Sequence, residues 1–271
     1  MKLRQPHSTI VDVSERGTAP WITMVHAATH DQRYFSAQVS AFQGDFRLLL
    51  IDLPGHGRSA ASPGPFGLEE YADSVLAAMD ANGVDKSHYL ASHTGAAVGL
   101  MLASRQRQRF LSLALESAPI PGVDLPSVIK AFNHARDTAR GSGMEAARAE
   151  WFQGERWFDI IRENPGRCRA DAHWAMIADF SGKPWLDGKP ARPVTPLLDQ
   201  LSSIDCPVLI INGEHDVEDF LQAADAIEQR LPRVQRVLVA GAGGFPMWEQ
   251  PQLVNDHILR HLRAACTRIS E

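Results

Sequence analysis

Apolar residues fall along this chain in two alternating rhythms. Trp21–His26 (WITMVH) and Leu48–Asp52 (LLLID) are short, almost continuous apolar runs, the pattern of strands buried on both faces. Leu68–Gly83 places Leu68, Tyr71, Ala72, Val75 and Met79 at helical spacing and closes on a glycine, which predicts a helix. His88–Ser92 reads as a strand, Thr94–Ser104 as a small-residue helix lying close to it, and Phe110–Glu116 as another strand. From about Val123 to Ser203 the alternation stops. This stretch holds Trp151, Trp157, Trp174 and Trp185, four of the six tryptophans, and reads as helices without strands. Alternation resumes with a strand at Pro207–Asn212, a helix from about Glu218 to Leu231, a strand at Val234–Ala240 and a last helix from about Gln252 to Ala265.

Strands alternating with helices predict an α/β class: a mostly parallel central sheet with helices on both faces. The expected organisation is a core built from residues 1–122 and 204–271, with residues 123–203 inserted as a helical cap. The cap aromatics, with Phe152, Phe158 and Met247, suggest an apolar pocket roof over a small, partly aromatic or acyl ligand; core packing explains most of the same residues.

Composition narrows the partners. A net charge of −5 argues against a nucleic-acid or anionic-membrane surface, and the basic run Arg105–Arg109 (RQRQR) fits a helix end. Three cysteines are too few and too scattered for a disulfide framework or a zinc site. The N-terminal stretch has no apolar core of signal-peptide length, and no run is long enough to span a membrane. The expectation is a cytoplasmic, cofactor-independent protein with a small-molecule partner, homodimer formation being left open.

Several segments together resemble the α/β-hydrolase superfamily. Asp52-Leu53-Pro54-Gly55-His56-Gly57-Arg58-Ser59 is similar to that family's strand-to-turn signature, with His56 holding the turn. Pro207–Asp216 is similar to the strand and turn that carry the family's catalytic acid, and Gly241-Ala242-Gly243 with Glu249-Gln250-Pro251 bracket the place of its histidine. The family's nucleophile sits mid-way in G-x-S-x-G; here the matching pentapeptide is Ala91-Ser92-His93-Thr94-Gly95. Ungapped alignment puts His93 at the nucleophile and Ser92 one position early, pointing away from the pocket; a shifted register would make it Thr94. The resemblance therefore implies that the usual serine, acid and histidine are replaced by His93, Asp216 and Gly244. A serine acyl-enzyme route lacks both its hydroxyl and its base.

Such a site invites a different chemistry. An imidazole is gained at the elbow and one is lost nearby, so His93 is expected to lean into the gap beside Gly244 and bond Asp216, directly or through water, as a general base. By the resemblance, the backbone N–H groups of Ala28 and Thr94 form an oxyanion hole, although Ala27 replaces the family's glycine there. His30, Glu116, Trp151, Gly244 and Phe245 are the candidate substrate-binding residues; His215 is read as structural. No metal-ligand spacing and no phosphate loop is present. The implied activity is hydrolysis of a small, partly apolar ester or lactone. Two alternatives stay open: a non-catalytic binder or regulator on the same scaffold, and carbon-acid chemistry. The stretch Thr29–Tyr34 supports the latter through its resemblance to cofactor-free 2,4-dioxygenases, whose acid position here is Glu116.

Overall fold

The structure, a computed structural model, describes residues 8–11 and 19–267. Seven strands form one sheet: β1 (Ser8–Val11), β2 (Trp21–Val25), β3 (Arg47–Ile51), β4 (Ser87–Ser92), β5 (Phe110–Glu116), β6 (Val208–Gly213) and β7 (Val234–Val239), in the order β1-β3-β2-β4-β5-β6-β7. Strands β2 to β7 are parallel, and β1 pairs antiparallel with β3 at one edge. The six strands expected from apolar runs are all present. Strand β1 was not anticipated; four residues at an edge carry too little apolar pattern to mark a strand.

Eleven α-helices are found among the described residues. Before β5 lie α1 (Ser36–Phe42), α2 (Leu68–Ala81) and α3 (Thr94–Arg105). Between β5 and β6 the chain holds helices and no strand: α4 (Pro126–Gly141), α5 (Met144–Gly154), α6 (Asp159–Glu163), α7 (Ala170–Asp179) and α8 (Lys183–Leu186), with short 3-10 turns and irregular stretches at 117–125 and 187–197. Helices α9 (Glu218–Arg230), α10 (Pro246–Glu249) and α11 (Pro251–Thr267) complete the chain.

The sheet divides the core in two. Leu48 and Leu50 point into one cluster and Leu49 and Ile51 into the other; Leu209 and Ile211 alternate with Val208 and Ile210 in the same way. This period of two on strands covered on both faces is why the strands read as unbroken apolar runs. Helix α3 can lie close to the sheet because it is rich in small residues. A Cβ on Gly95 would stand 2.2 Å from the Val25 carbonyl oxygen, and one on Gly99 2.5 Å from the Tyr89 ring. The turn from β4 into α3 therefore sits at the carboxyl ends of the parallel strands, where open α/β sheets place their ligands.

Candidate active site

The β4–α3 turn is made by His93, whose backbone is strained at φ 46 and ψ −106. Its N–H donates to the Glu116 carbonyl at 2.9 Å, and the Gly95 N–H donates to the His26 carbonyl at 3.2 Å, which pins the turn to β5 and β2. Thr94 is the first residue of α3. The residue presented on the sharp turn is thus His93, and the shifted register that would place Thr94 there does not hold.

A cavity of about 200 Å³ lies against this turn. Of the expected site residues, His93, Ala28, Thr94, His30, Trp151 and Phe245 line it. Among the described residues the N–H groups of Ala28 and Thr94 donate to no protein acceptor. The loop that carries Ala28 is anchored from behind: His56 Nε2 lies 2.5 Å from the Ala28 carbonyl, and the Leu53 N–H donates to His26 Nε2 at 3.0 Å. Phe132, Trp157, Phe158 and Phe220 add aromatic walls.

The other expected residues are placed differently. Asp216, Glu116 and Gly244 do not line the cavity. The direct His93–Asp216 bond is absent. His93 Nδ1 is 2.9 Å from the Ser92 hydroxyl, and Nε2 is buried without a partner. Asp216 is held instead by the Ser117 hydroxyl (2.7 Å), the Asn212 amide (2.9 Å) and the Val217 N–H (2.8 Å). Burial raises its carboxyl to about 6 despite those donors.

The gap expected beside Gly244 is also absent, and packing explains why. A Cβ on Gly244 would stand 2.6 Å from Trp157 Cβ, so the segment between β5 and β6 already covers that spot. The Phe245 ring packs on His93 with centroids 4.6 Å apart, and Phe220 meets the same imidazole edge-on at 4.8 Å. Glu249 receives the Gly243 N–H at 2.5 Å and the Phe245 N–H at 3.2 Å, fixing the loop that carries both residues.

Glu116 reaches His93 by another path. Its carboxyl accepts from the Tyr34 hydroxyl and from the Met247 N–H, each at 2.6 Å, and the Ser92 hydroxyl is a further hydrogen-bonding neighbour. Burial pushes this carboxyl up to about 8 against those donors. Ser92 lies outside the cavity, with its hydroxyl bonded to His93 Nδ1 and close to the Glu116 carboxyl. Burial also holds the His93 imidazole down at about 3, so the ring is neutral at pH 7.

His30 has a partner that sequence reasoning missed. Its Nε2 lies 2.7 Å from Nε2 of His173 on α7, and the Nδ1 atoms of both rings are buried and unpartnered. Burial lowers both imidazoles, so one neutral ring donates to the other. A lone histidine inside a helical stretch carries no sequence signal for such a contact. Trp157 and Ser92 were each visible in the sequence, but their roles depend on packing. Among the described residues no group of three or more His, Cys, Asp or Glu side chains could hold a metal ion.

Residues 24–257 match the family model for the alpha/beta hydrolase family. The chain belongs to that family. Its relatives include 3-oxoadipate enol-lactonase 1 of Acinetobacter baylyi, 23% identical over 258 residues, covering 92% of this chain and 91% of the relative. A 2-succinyl-6-hydroxy-2,4-cyclohexadiene-1-carboxylate synthase of Yersinia enterocolitica is 27% identical over 215 residues, or 76% of this chain and 75% of that one. Among solved structures, the enol-lactonase from Burkholderia xenovorans superposes with a TM-score of 0.80 at 22% identity, covering 95% and 96% of the two chains. All three relatives are named as enzymes. No helix among the described residues of this chain is long and apolar enough to cross a membrane.

Proposed function

We propose that this alpha/beta hydrolase cleaves a small, partly apolar ester or lactone by general-base catalysis at His93, with no covalent acyl-enzyme. The observation that carries the reading is the unpartnered, buried Nε2 of a histidine that lines the cavity beside two unspent N–H groups. The Ser92–Glu116 link supports it. When the Glu116 carboxylate takes the Ser92 proton as a hydrogen bond, the Ser92 oxygen accepts from His93 Nδ1–H. That tautomer leaves the Nε2 lone pair free to act as a base.

In this mechanism a water oxygen attacks the substrate carbonyl carbon as Nε2 takes the water's proton. The carbonyl electrons move onto oxygen, which the Ala28 and Thr94 N–H groups receive. Collapse re-forms the carbonyl and breaks the bond to the leaving oxygen, which takes the proton back from Nε2. A lactone yields its hydroxy acid, and an ester yields acid and alcohol. Burial makes the free imidazole a weak base, and the oxyanion formed beside it offsets that by favouring the imidazolium at the transition state. Residues 123–203 serve as a cap that supplies the apolar wall through Trp151, Trp157 and Phe158.

A second reading is a binding protein without turnover. It is favoured by Asp216, which is spent on Ser117, Asn212 and Val217 and has no contact with His93. Carbon-acid deprotonation would use the same base and the same N–H pair, and product analysis separates it from hydrolysis. The test is p-nitrophenyl acetate turnover followed by intact-protein mass spectrometry. Nitrophenol release with no acetyl adduct fits general-base catalysis. An acetyl group retained on the protein during turnover would overturn it.

A further inference from the structure

The cavity that His93 faces has polar atoms but no formal charge. None of its lining residues is Asp, Glu, Lys or Arg. Its two ionisable side chains are His30 and His93, and both are held neutral by burial. The His30 ring spends Nε2 on His173 and has only Nδ1 to offer a ligand. The Thr29 hydroxyl already accepts from Trp151 Nε1 at 3.2 Å.

Helix starts, which could otherwise receive an anion, border the cavity at Leu68 of α2, Thr94 of α3 and Val128 of α4. The first turn of α2 carries Glu69 and Glu70, the Thr94 N–H is reserved for the reacting carbonyl, and the α4 terminus is taken. Asp219 of α9 accepts the Ser127 N–H at 2.8 Å and the Val128 N–H at 3.2 Å. The donors of this terminus are therefore already occupied by a carboxylate outside the cavity lining. The charged groups on the loop that carries His30 are likewise committed elsewhere: Asp31 to Arg33, and Arg33 also to Asp179.

Resting on the hydrolytic reading of the same site, we propose that the substrate is an uncharged ester or lactone, and that the cavity rejects otherwise similar molecules bearing a carboxylate away from the reacting carbonyl. A carboxylate moved from water into this lining would find no cation and few donors, whereas a neutral substrate gives up little hydration. The N–H groups of Ala28 and Thr94 are the exception, and they are reserved for the reacting carbonyl.

The experiment is isothermal titration calorimetry on the intact protein with three ketones that bind without being hydrolysed: acetophenone, 4-nitroacetophenone and 4-acetylbenzoate. The last two share a shape and differ in charge. The neutral pair is expected to bind, with 4-acetylbenzoate weaker than 4-nitroacetophenone by on the order of 100-fold. A Val128→Arg variant is expected to recover about tenfold for 4-acetylbenzoate alone. Binding of 4-acetylbenzoate within tenfold of its nitro counterpart, or no binding of either neutral ketone, overturns the proposal. The two readings fail separately. Neutral preference without ester turnover would sink the general-base reading alone, and equal turnover of charged and neutral esters would sink this inference alone.

Discussion

The Ser92 hydroxyl lies 2.9 Å from His93 Nδ1, so neighbouring residues commit one side of the imidazole to the protein and leave Nε2 buried without a protein partner. A histidine at the strained elbow is thereby oriented from behind, through Ser92 towards Glu116, and not through the acid that follows β6.

That relationship makes Asp216 dispensable for the chemistry. Asp216→Asn is expected to cost about 1–2 kcal/mol of stability through weakened bonds to Ser117 and the Val217 N–H. Ester turnover and the His93 NMR titration should stay as in wild type. Urea unfolding and imidazole chemical shifts check the two halves, and a moved His93 titration would revive a direct coupling.

Glu116 should govern both pH dependences. Its folded-state carboxyl is raised from 4.5 to about 8. The stability this group contributes is therefore fully present below pH 4.5 and is lost as pH rises through about 8. Activity runs the other way, because the ionised carboxylate is the form that accepts from Ser92. Glu116→Gln is expected to remove this group's share of the alkaline stability loss and to flatten the rise in rate approaching pH 8. Unfolding midpoints and kcat/KM across about pH 4–9, from below the unfolded-state value to about one unit above the folded one, check both signs.

Restoring a histidine at position 244 should fail. With Trp157 Cβ 2.6 Å from a Cβ placed on Gly244, Gly244→His forces the α5–α6 connection to move. The expected cost is about 1–3 kcal/mol, typical of overpacking. Adding Trp157→Ala should recover part of it. Thermal melts of the single and double variants measure the recovery, and an unshifted single variant would contradict the contact.

His30 and His173 join the loop before the Gln32–Phe35 turn to α7 across 2.7 Å. A double-mutant cycle with His30→Ala and His173→Ala is expected to show a coupling of about 1 kcal/mol, the scale of one net hydrogen bond. Additive losses would mean the contact contributes nothing to stability.

Much of this was legible before any coordinates. Strands β2, β3 and β6 announce themselves because burial on both faces demands continuous apolar runs, and the elbow is marked by Gly95, whose missing Cβ lets α3 lie against Val25. The same spacing brings His93, Ala28, Thr94, His30, Trp151 and Phe245 to one cavity. What spacing does not carry is the partner of each side chain. Chain order puts His93 and Asp216 at the carboxyl ends of β4 and β6, either side of β5, but Ser117, two residues past β5's Leu115, takes the carboxylate. Gly244 looks like open space until Trp157, almost ninety positions earlier, is seen to fill it. Ser92 looks idle because its side chain faces away from the cavity, and its role exists only through Glu116.

The central claim is that His93 is the base, and kinetics on His93→Ala test it most directly. Turnover of a neutral activated ester should fall at least about 100-fold, within the range for losing a general base. Acetophenone affinity, measured on the same variant, should change by no more than a few-fold, since the apolar walls remain. Unchanged turnover, or a loss matched by an equal loss of affinity, would contradict the account.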